Sequence, residues 1–137
     1  MECLSKHFKL EEFINSPTAK KLKIDNTPTD EVIRNLLEVA ELLEIIRKEY
    51  NHPIIITSGY RCKKLNDAVK GSKTSQHVKG QAADIISVDN KELFILIRQM
   101  IIKGQIKVGQ LIDEKNYRWI HISTPHLKNN NQILHIK

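Results

Sequence analysis

The sequence predicts an α+β domain, a small and largely antiparallel sheet packed with helices. Three observations carry that reading. Helical periodicity dominates the first third of the chain, where Ile33, Leu36, Leu37, Ala40, Leu43 and Ile46 (or Ile45) recur on one face. Short β-branched runs bounded by Gly, Pro and Asn dominate the remainder, and two of the later ones lie close enough to form a hairpin. No Gly-rich phosphate loop follows a strand, which excludes Rossmann and P-loop architectures. A chain of 137 residues is the size of one domain, so residues 1–137 are read as a single unit without internal repeats.

Taken in order, Phe8 to Asn15 suggests a short helix, and Ser16-Pro17 offers an N-cap and an N1 proline for a second, ending near Leu22. Asn26-Thr27-Pro28 is a turn. Thr29 can cap a long helix from Asp30 to Tyr50, whose first turn carries Asp30 and Glu31. His52-Pro53 ends it, and Pro53 to Thr57 is expected as a buried strand. Ser58-Gly59-Tyr60-Arg61 leaves that strand through a glycine turn, and Cys62 to Val69 reads as a short helix closed by Gly71. Residues 70–80 read as a loop and Ala82 to Val88 as a strand. Asn90 can cap a helix to about Lys103, with Leu93, Ile97 and Met100 or Ile101 inward. Val108–Asp113 and Tyr117–Ser123 are the expected hairpin, joined by Glu114-Lys115-Asn116. Ile133–Ile136 is a last strand after the polar loop Lys128-Asn129-Asn130-Asn131.

Twenty-two Lys+Arg against 16 Asp+Glu give a net charge of +6, which suits an anionic partner or plain solubility. Lys20-Lys21, Lys23 and Lys63-Lys64 read as solvated faces. Aromatics are only 5%, with neither a stacking platform nor a recognition helix, so specific nucleic-acid binding is not expected. No apolar run approaches the roughly 20 residues that span a bilayer, so membrane insertion is not expected. The N-terminal residues lack a signal-peptide pattern, and the expectation is synthesis in the cytoplasm. Cys3 and Cys62 form no C-x-x-C pair, which excludes a Cys-rich zinc ribbon; both are read as free thiols.

The chemistry concentrates in Ser75-Gln76-His77-Val78-Lys79-Gly80-Gln81-Ala82-Ala83-Asp84 and in Trp119-Ile120-His121. Imidazole and carboxylate are good zinc ligands. On one helix, His77 and Asp84 would stand about 10.5 Å apart along the axis. On one strand they would be about 23 Å apart and on opposite faces. Neither lets both reach one ion, so the chain must fold back between them, and Gly80 is the residue that permits the bend. Asp84 enters an apolar strand, where an unpaired carboxylate is costly, so a cationic partner is expected.

Ser75-x-His77-x-x-Gly80-x-Ala82-x-Asp84, followed by Trp119-x-His121, resembles the signature of the zinc D-alanyl-D-alanine carboxypeptidases. Their relatives include D-Ala-D-Ala dipeptidases and phage endolysins that cut peptidoglycan stem peptides. Ser58-Gly59-Tyr60-Arg61 and Asn66 also resemble elements of that family, and the likeness to its compact branch covers residues 7–124. The resemblance implies a hedgehog/DD-peptidase-like fold and one Zn²⁺ held by His77, Asp84 and His121, with a fourth position for water. It implies that Arg61 steadies the substrate carbonyl, consistent with an always-charged guanidinium. Ser75, Gln76 and Trp119 are expected to line the substrate cleft.

In several members the general base lies three residues before the last histidine, where this chain has Arg118. The compact branch resembles Gln110-Leu111-Ile112-Asp113-Glu114, which favours Glu114; Asp113, on the other face of a regular strand, is the runner-up. His7, His52, His126 and His135 show no ligand spacing and read as structural or exposed, with His126 near the cleft rim. The implied activity is zinc-dependent hydrolysis of peptidoglycan stem peptides, as a D-Ala-D-Ala carboxypeptidase or an L-Ala-D-Glu endopeptidase. The enzyme would be a monomer, reaching the wall through a holin or on a phage particle. The alternative is a non-catalytic zinc-containing wall-binding or virion module of the same fold, which the Arg118 departure keeps open.

Overall fold

The computed structural model describes residues 3–126 and 130–137. Lys128 and Asn129 of the expected polar loop lie outside the described residues. The N-terminal segment forms α1 (Leu10–Ile14) and α2 (Pro17–Leu22). Glu12 reaches back to accept the Lys9 N–H, and Ser16 Oγ accepts the Ala19 N–H, so each first turn is satisfied by a side chain. Phe8 precedes α1 as extended chain but is buried against Phe13.

Helix α3 (Asp30–Tyr50) is the main packing element. Thr29 caps it by accepting from Val32, and Asn51 in the left-handed conformation ends it. Its buried stripe is Val32, Leu36, Val39, Ala40, Leu42, Leu43, Ile46 and Tyr50. Ile46 therefore faces inward and Ile45, 51% exposed, does not. Each such Leu or Ile contributes about 1.5–3 kcal/mol by leaving water.

The sheet has five strands in the order β1-β2-β4-β3-β5. They are β1 (Ile55–Ser58), β2 (Ala82–Ile86), β3 (Gln110–Glu114), β4 (Trp119–Ser123) and β5 (Gln132–Ile136). All neighbours are antiparallel except β3 and β5. The expected buried first strand is instead an edge strand. It starts at Ile55, and only Ile56 is buried while Ile55 faces solvent. Helix α4 (Lys63–Ala68) follows β1, with Cys62 as its N-cap. Cys3 and Cys62 are free thiols.

Two expectations move by a residue or more. Helix α5 (Asn90–Ile102) is capped by Asp89, whose carboxylate accepts from Glu92; Asn90 is already helical. The Asn90 amide is used elsewhere, accepting from Ser87 and donating to the Tyr117 and Arg118 carbonyls. Both Met100 and Ile101 of α5 are buried. The hairpin strands reach Glu114 and resume at Trp119, because Lys115, Asn116 and Tyr117 all take positive φ and break the extended run.

Register assigns the two faces of the sheet. Leu111, Ile122 and Ala83 stand side by side on one face, as do Ile120 and Ile85, and α3 and α5 cover them. Ile112, His121 and Asp84 stand side by side on the other, next to the pair Glu114 and Trp119.

Candidate metal centre

The segment between α4 and β2 brings the ligand-type residues to this second face. A single 3-10 turn, Gln76–Lys79, interrupts the expected loop, and Ser75 Oγ caps it by accepting from the His77 N–H. Gly80 ends it at φ +72°, a conformation that side-chained residues rarely adopt, and a Cβ there would also meet Val32. The chain thereby reverses into β2, as the spacing of His77 and Asp84 requires.

His77, Asp84 and His121 converge, with one ligand atom from each lying within 4.8 Å of the others. Asp84 Oδ1 is 3.3 Å from His77 Nε2 and 3.2 Å from His121 Nδ1. Tetrahedral zinc at its usual bond lengths separates neighbouring donors by about 3.3 Å. The tautomer of His77 sharpens the fit. Its Nδ1 is 2.7 Å from the Gly59 carbonyl, which can only accept, so Nδ1 carries the proton. With Nδ1 engaged, Nε2 is the ring atom left to face Asp84 Oδ1 and to serve as a ligand atom. A second-sphere carbonyl of this kind also fixes ring orientation. Gly59 is required for its own reason: a Cβ would fall 2.4 Å from the Phe13 carbonyl oxygen.

Burial would raise the Asp84 carboxyl. The His121 and His77 rings that face the carboxylate outweigh it and hold the group well below the usual carboxylate range. The residues present therefore suit a divalent cation of zinc type, with His77, Asp84 and His121 as its protein ligands.

An open cleft of about 1390 Å³ lies over these three residues, lined also by Arg61, Ser75, Gln76, Glu114 and Trp119. Arg61 is half-buried. Burial lowers its guanidinium from the ordinary value, opposed by the carboxylates of Asp84 and Glu114, and it stays charged. Its Nη2 donates to Ser75 Oγ at 3.3 Å and its backbone N–H to the His77 carbonyl at 3.1 Å. Asn26 accepts from the Cys62 N–H and donates to the Tyr60 carbonyl, clamping the same stretch. Glu114 Oε2 accepts from the Trp119 indole N–H at 3.0 Å, so both side chains share the cleft edge.

Asp113, the runner-up for the base, lies on the opposite face. It is 6% exposed, accepts from the Tyr117 N–H and faces His135 Nδ1. Gln76 is 8% exposed, and among the described residues neither of its amide atoms has a partner. His126 lines the cleft, as its expected place near the rim implied, whereas His7, His52 and His135 do not. Gln110 and Ile112 also line it and were missed; their strand parity with Glu114 was the available signal. Asn26 had no such signal, because its partners are distant in sequence.

A comparison with curated proteins finds no match. The Peptidase M15 family model matches residues 6–123, one residue earlier at each end than the span read from the motifs. That match takes in Arg61, all three ligand-type residues and Glu114, on a fold of the expected α+β kind, and the chain belongs to the Peptidase M15 family of zinc D-Ala-D-Ala carboxypeptidase-like metallopeptidases.

Proposed function

We propose that the chain hydrolyses a peptide bond in the stem peptide of bacterial peptidoglycan, as a D-Ala-D-Ala carboxypeptidase or an L-Ala-D-Glu endopeptidase. The observation that carries this reading is the convergence of His77, Asp84 and His121 on the floor of an open cleft that also holds Arg61 and Glu114. Bound by those three residues, zinc supplies Lewis-acid polarisation of a carbonyl and acidifies water.

The chain's own groups do the rest. Arg61, braced by Ser75, donates to the substrate carbonyl and favours the negative charge that grows on its oxygen. Glu114 accepts the proton of the attacking water on a carboxylate oxygen and returns it to the leaving amine. The indole N–H of Trp119 holds Oε2 of Glu114 and limits its rotation. Gln76 offers a peptide group of the substrate a donor and an acceptor that nothing in the described chain uses.

The test is incubation of the protein with purified peptidoglycan, with new amino groups counted and the fragments weighed by mass spectrometry. Amines that appear with zinc, vanish with a chelator and return on zinc addition support the reading, and the fragment masses name the bond. A zinc-loaded protein that releases no amine overturns it and favours the non-catalytic wall-binding module. The proposal extends to a phage or prophage endolysin that reaches the wall through a holin. Its net charge of +6 suits an anionic wall polymer, and none of its described helices is long and apolar enough to cross a membrane. Clearing of permeabilised cells by added protein checks that extension; intact walls after such treatment count against it.

A further inference from the structure

The turn between β3 and β4 is strained. Lys115, Asn116 and Tyr117 are consecutive non-glycine residues at φ 51°, 57° and 65°. The left-handed region is costly for side-chained residues, and tyrosine lacks the short polar side chain that lets asparagine visit it. Such a run persists only where its surroundings over-determine it. Here they do. Asp113 Oδ1 accepts the Tyr117 N–H at 2.6 Å, and the Asn90 amide donates to the Tyr117 carbonyl at 2.9 Å. The Lys115 N–H donates to the Ile136 carbonyl at 2.7 Å, and the Tyr117 ring meets Phe94 edge-on at 5.7 Å.

Asp113 carries the most exacting part. Its carboxylate is buried on the helix-covered face, where an unpaired charge is costly. Its second oxygen is 3.1 Å from His135 Nδ1 on β5, and the His135 ring rests on Phe94 at 5.1 Å. A glycine-containing turn would close the hairpin with no buried carboxylate. What the carboxylate adds is one fixed turn geometry, and the residues at its two mouths are Glu114 and Trp119, a register pair projecting into the cleft.

Resting on the hydrolytic reading above, we infer that Asp113, locked by His135, is a positioning residue: through the strained turn it sets where the Glu114 carboxylate and the Trp119 indole stand. The back of the sheet thereby aims the front, and the residue next to the base in sequence works on the opposite face.

Trp119 is the only tryptophan of the chain and reports the turn without any need for activity. Asp113→Ala, Asp113→Asn and His135→Ala in the full chain are compared with the unaltered protein by three measurements. These are zinc bound at equilibrium dialysis, acrylamide quenching of Trp119, and kcat and KM on a stem-peptide fragment. The expected result for Asp113→Ala is unchanged zinc, stronger quenching, and kcat down about 10- to 100-fold with KM held within about twofold. Asp113→Asn, whose oxygen can still accept from Tyr117, recovers most of kcat and of the quenching protection. His135→Ala moves the same quantities less, and because His135 is exposed it decides the matter should Asp113→Ala fail to fold. Unchanged quenching and kcat in folded Asp113→Ala overturn the inference, as does a fall in kcat that only tracks lost zinc. Should the unaltered protein hydrolyse nothing, the hydrolytic reading falls, and the quenching series alone supports or overturns the role of Asp113 in the turn.

Discussion

On the helix-covered face of the sheet, Ala83, Ile85, Leu111, Ile120 and Ile122 are fully buried and apolar. On the cleft face, the residues alternating with them are Asp84, Ile112, Glu114, Trp119 and His121. The same strands build both. A period of two lets one residue exclude water while its neighbour meets it, so a short strand can serve packing and chemistry at once. The faces obey opposite rules. The packed face minimises polar groups, and its one carboxylate, Asp113, is bonded on both oxygens. The cleft face crowds three polar ligand atoms together and leaves a buried amide without a partner among the described residues. A stability cost concentrated where ligand binds is what a site held ready for its occupants requires.

The largest effect expected is on the cleft face. His121→Ala removes one of the three proposed ligands, and zinc bound per protein, measured by dialysis and metal analysis, should fall from about one to near zero at micromolar metal. Amine release from peptidoglycan should fall to background with it. Because His121 stands on a strand whose core-facing neighbours are untouched, the urea midpoint of the metal-free protein should move little. A large loss of metal-free stability would break the division between the faces.

Next comes Glu114→Gln, which keeps shape and hydrogen bonding to Trp119 but cannot take a proton. The expected loss in kcat is about 10²- to 10⁴-fold with zinc retained. Unchanged turnover would remove Glu114 from the base role, and Asp113 on the far face could not replace it without turning its strand over.

These residues differ in how readily the sequence disclosed them. His77, Asp84 and His121 were legible as a set only through the resemblance of their joint pattern to a family signature, whereas the bend required between His77 and Asp84 is a local property of a glycine. Gly80 at φ +72° makes that bend, and the Asp84–His121 register sets those two side chains side by side. The long helix was legible from local properties too, its capping threonine and apolar stripe lying within one segment. The parallel pairing of β5 with β3 was not, since it depends on which edge remains free after the hairpin forms. Asp89 displaced Asn90 as a cap because the Asn90 amide is drawn to carbonyls 27 and 28 residues away. The three left-handed residues at 115–117 contain no glycine to announce them; partners on α5 and β5 hold them in place.

Leu111→Ala probes the packed face alone. Leu111 is fully buried one residue from the cleft residue Ile112. Its truncation should cost about 2–5 kcal/mol by urea denaturation, as core cavities do. Zinc content and kcat per folded molecule should stay as they were. A fall in kcat beyond the unfolded fraction would show that packing behind the sheet reaches the chemistry, a coupling the structure routes through Asp113 and not through Leu111.

The smallest effect expected is also the one that separates stability from function most cleanly. Gln76 is buried at the cleft with two amide atoms that have no partner among the described residues, an arrangement that costs about 1–3 kcal/mol for each unsatisfied polar group. Gln76→Leu keeps the volume and removes that cost, so the free protein should hold its urea midpoint or raise it. If the amide meets a peptide group of the substrate, KM should rise several-fold, by about 1 kcal/mol of lost hydrogen bonding, while kcat changes less. A variant that loses stability instead would mean that the amide is satisfied in the free protein, by water, and the contrast between a satisfied back face and an expectant front face would then narrow to the three ligand-type residues.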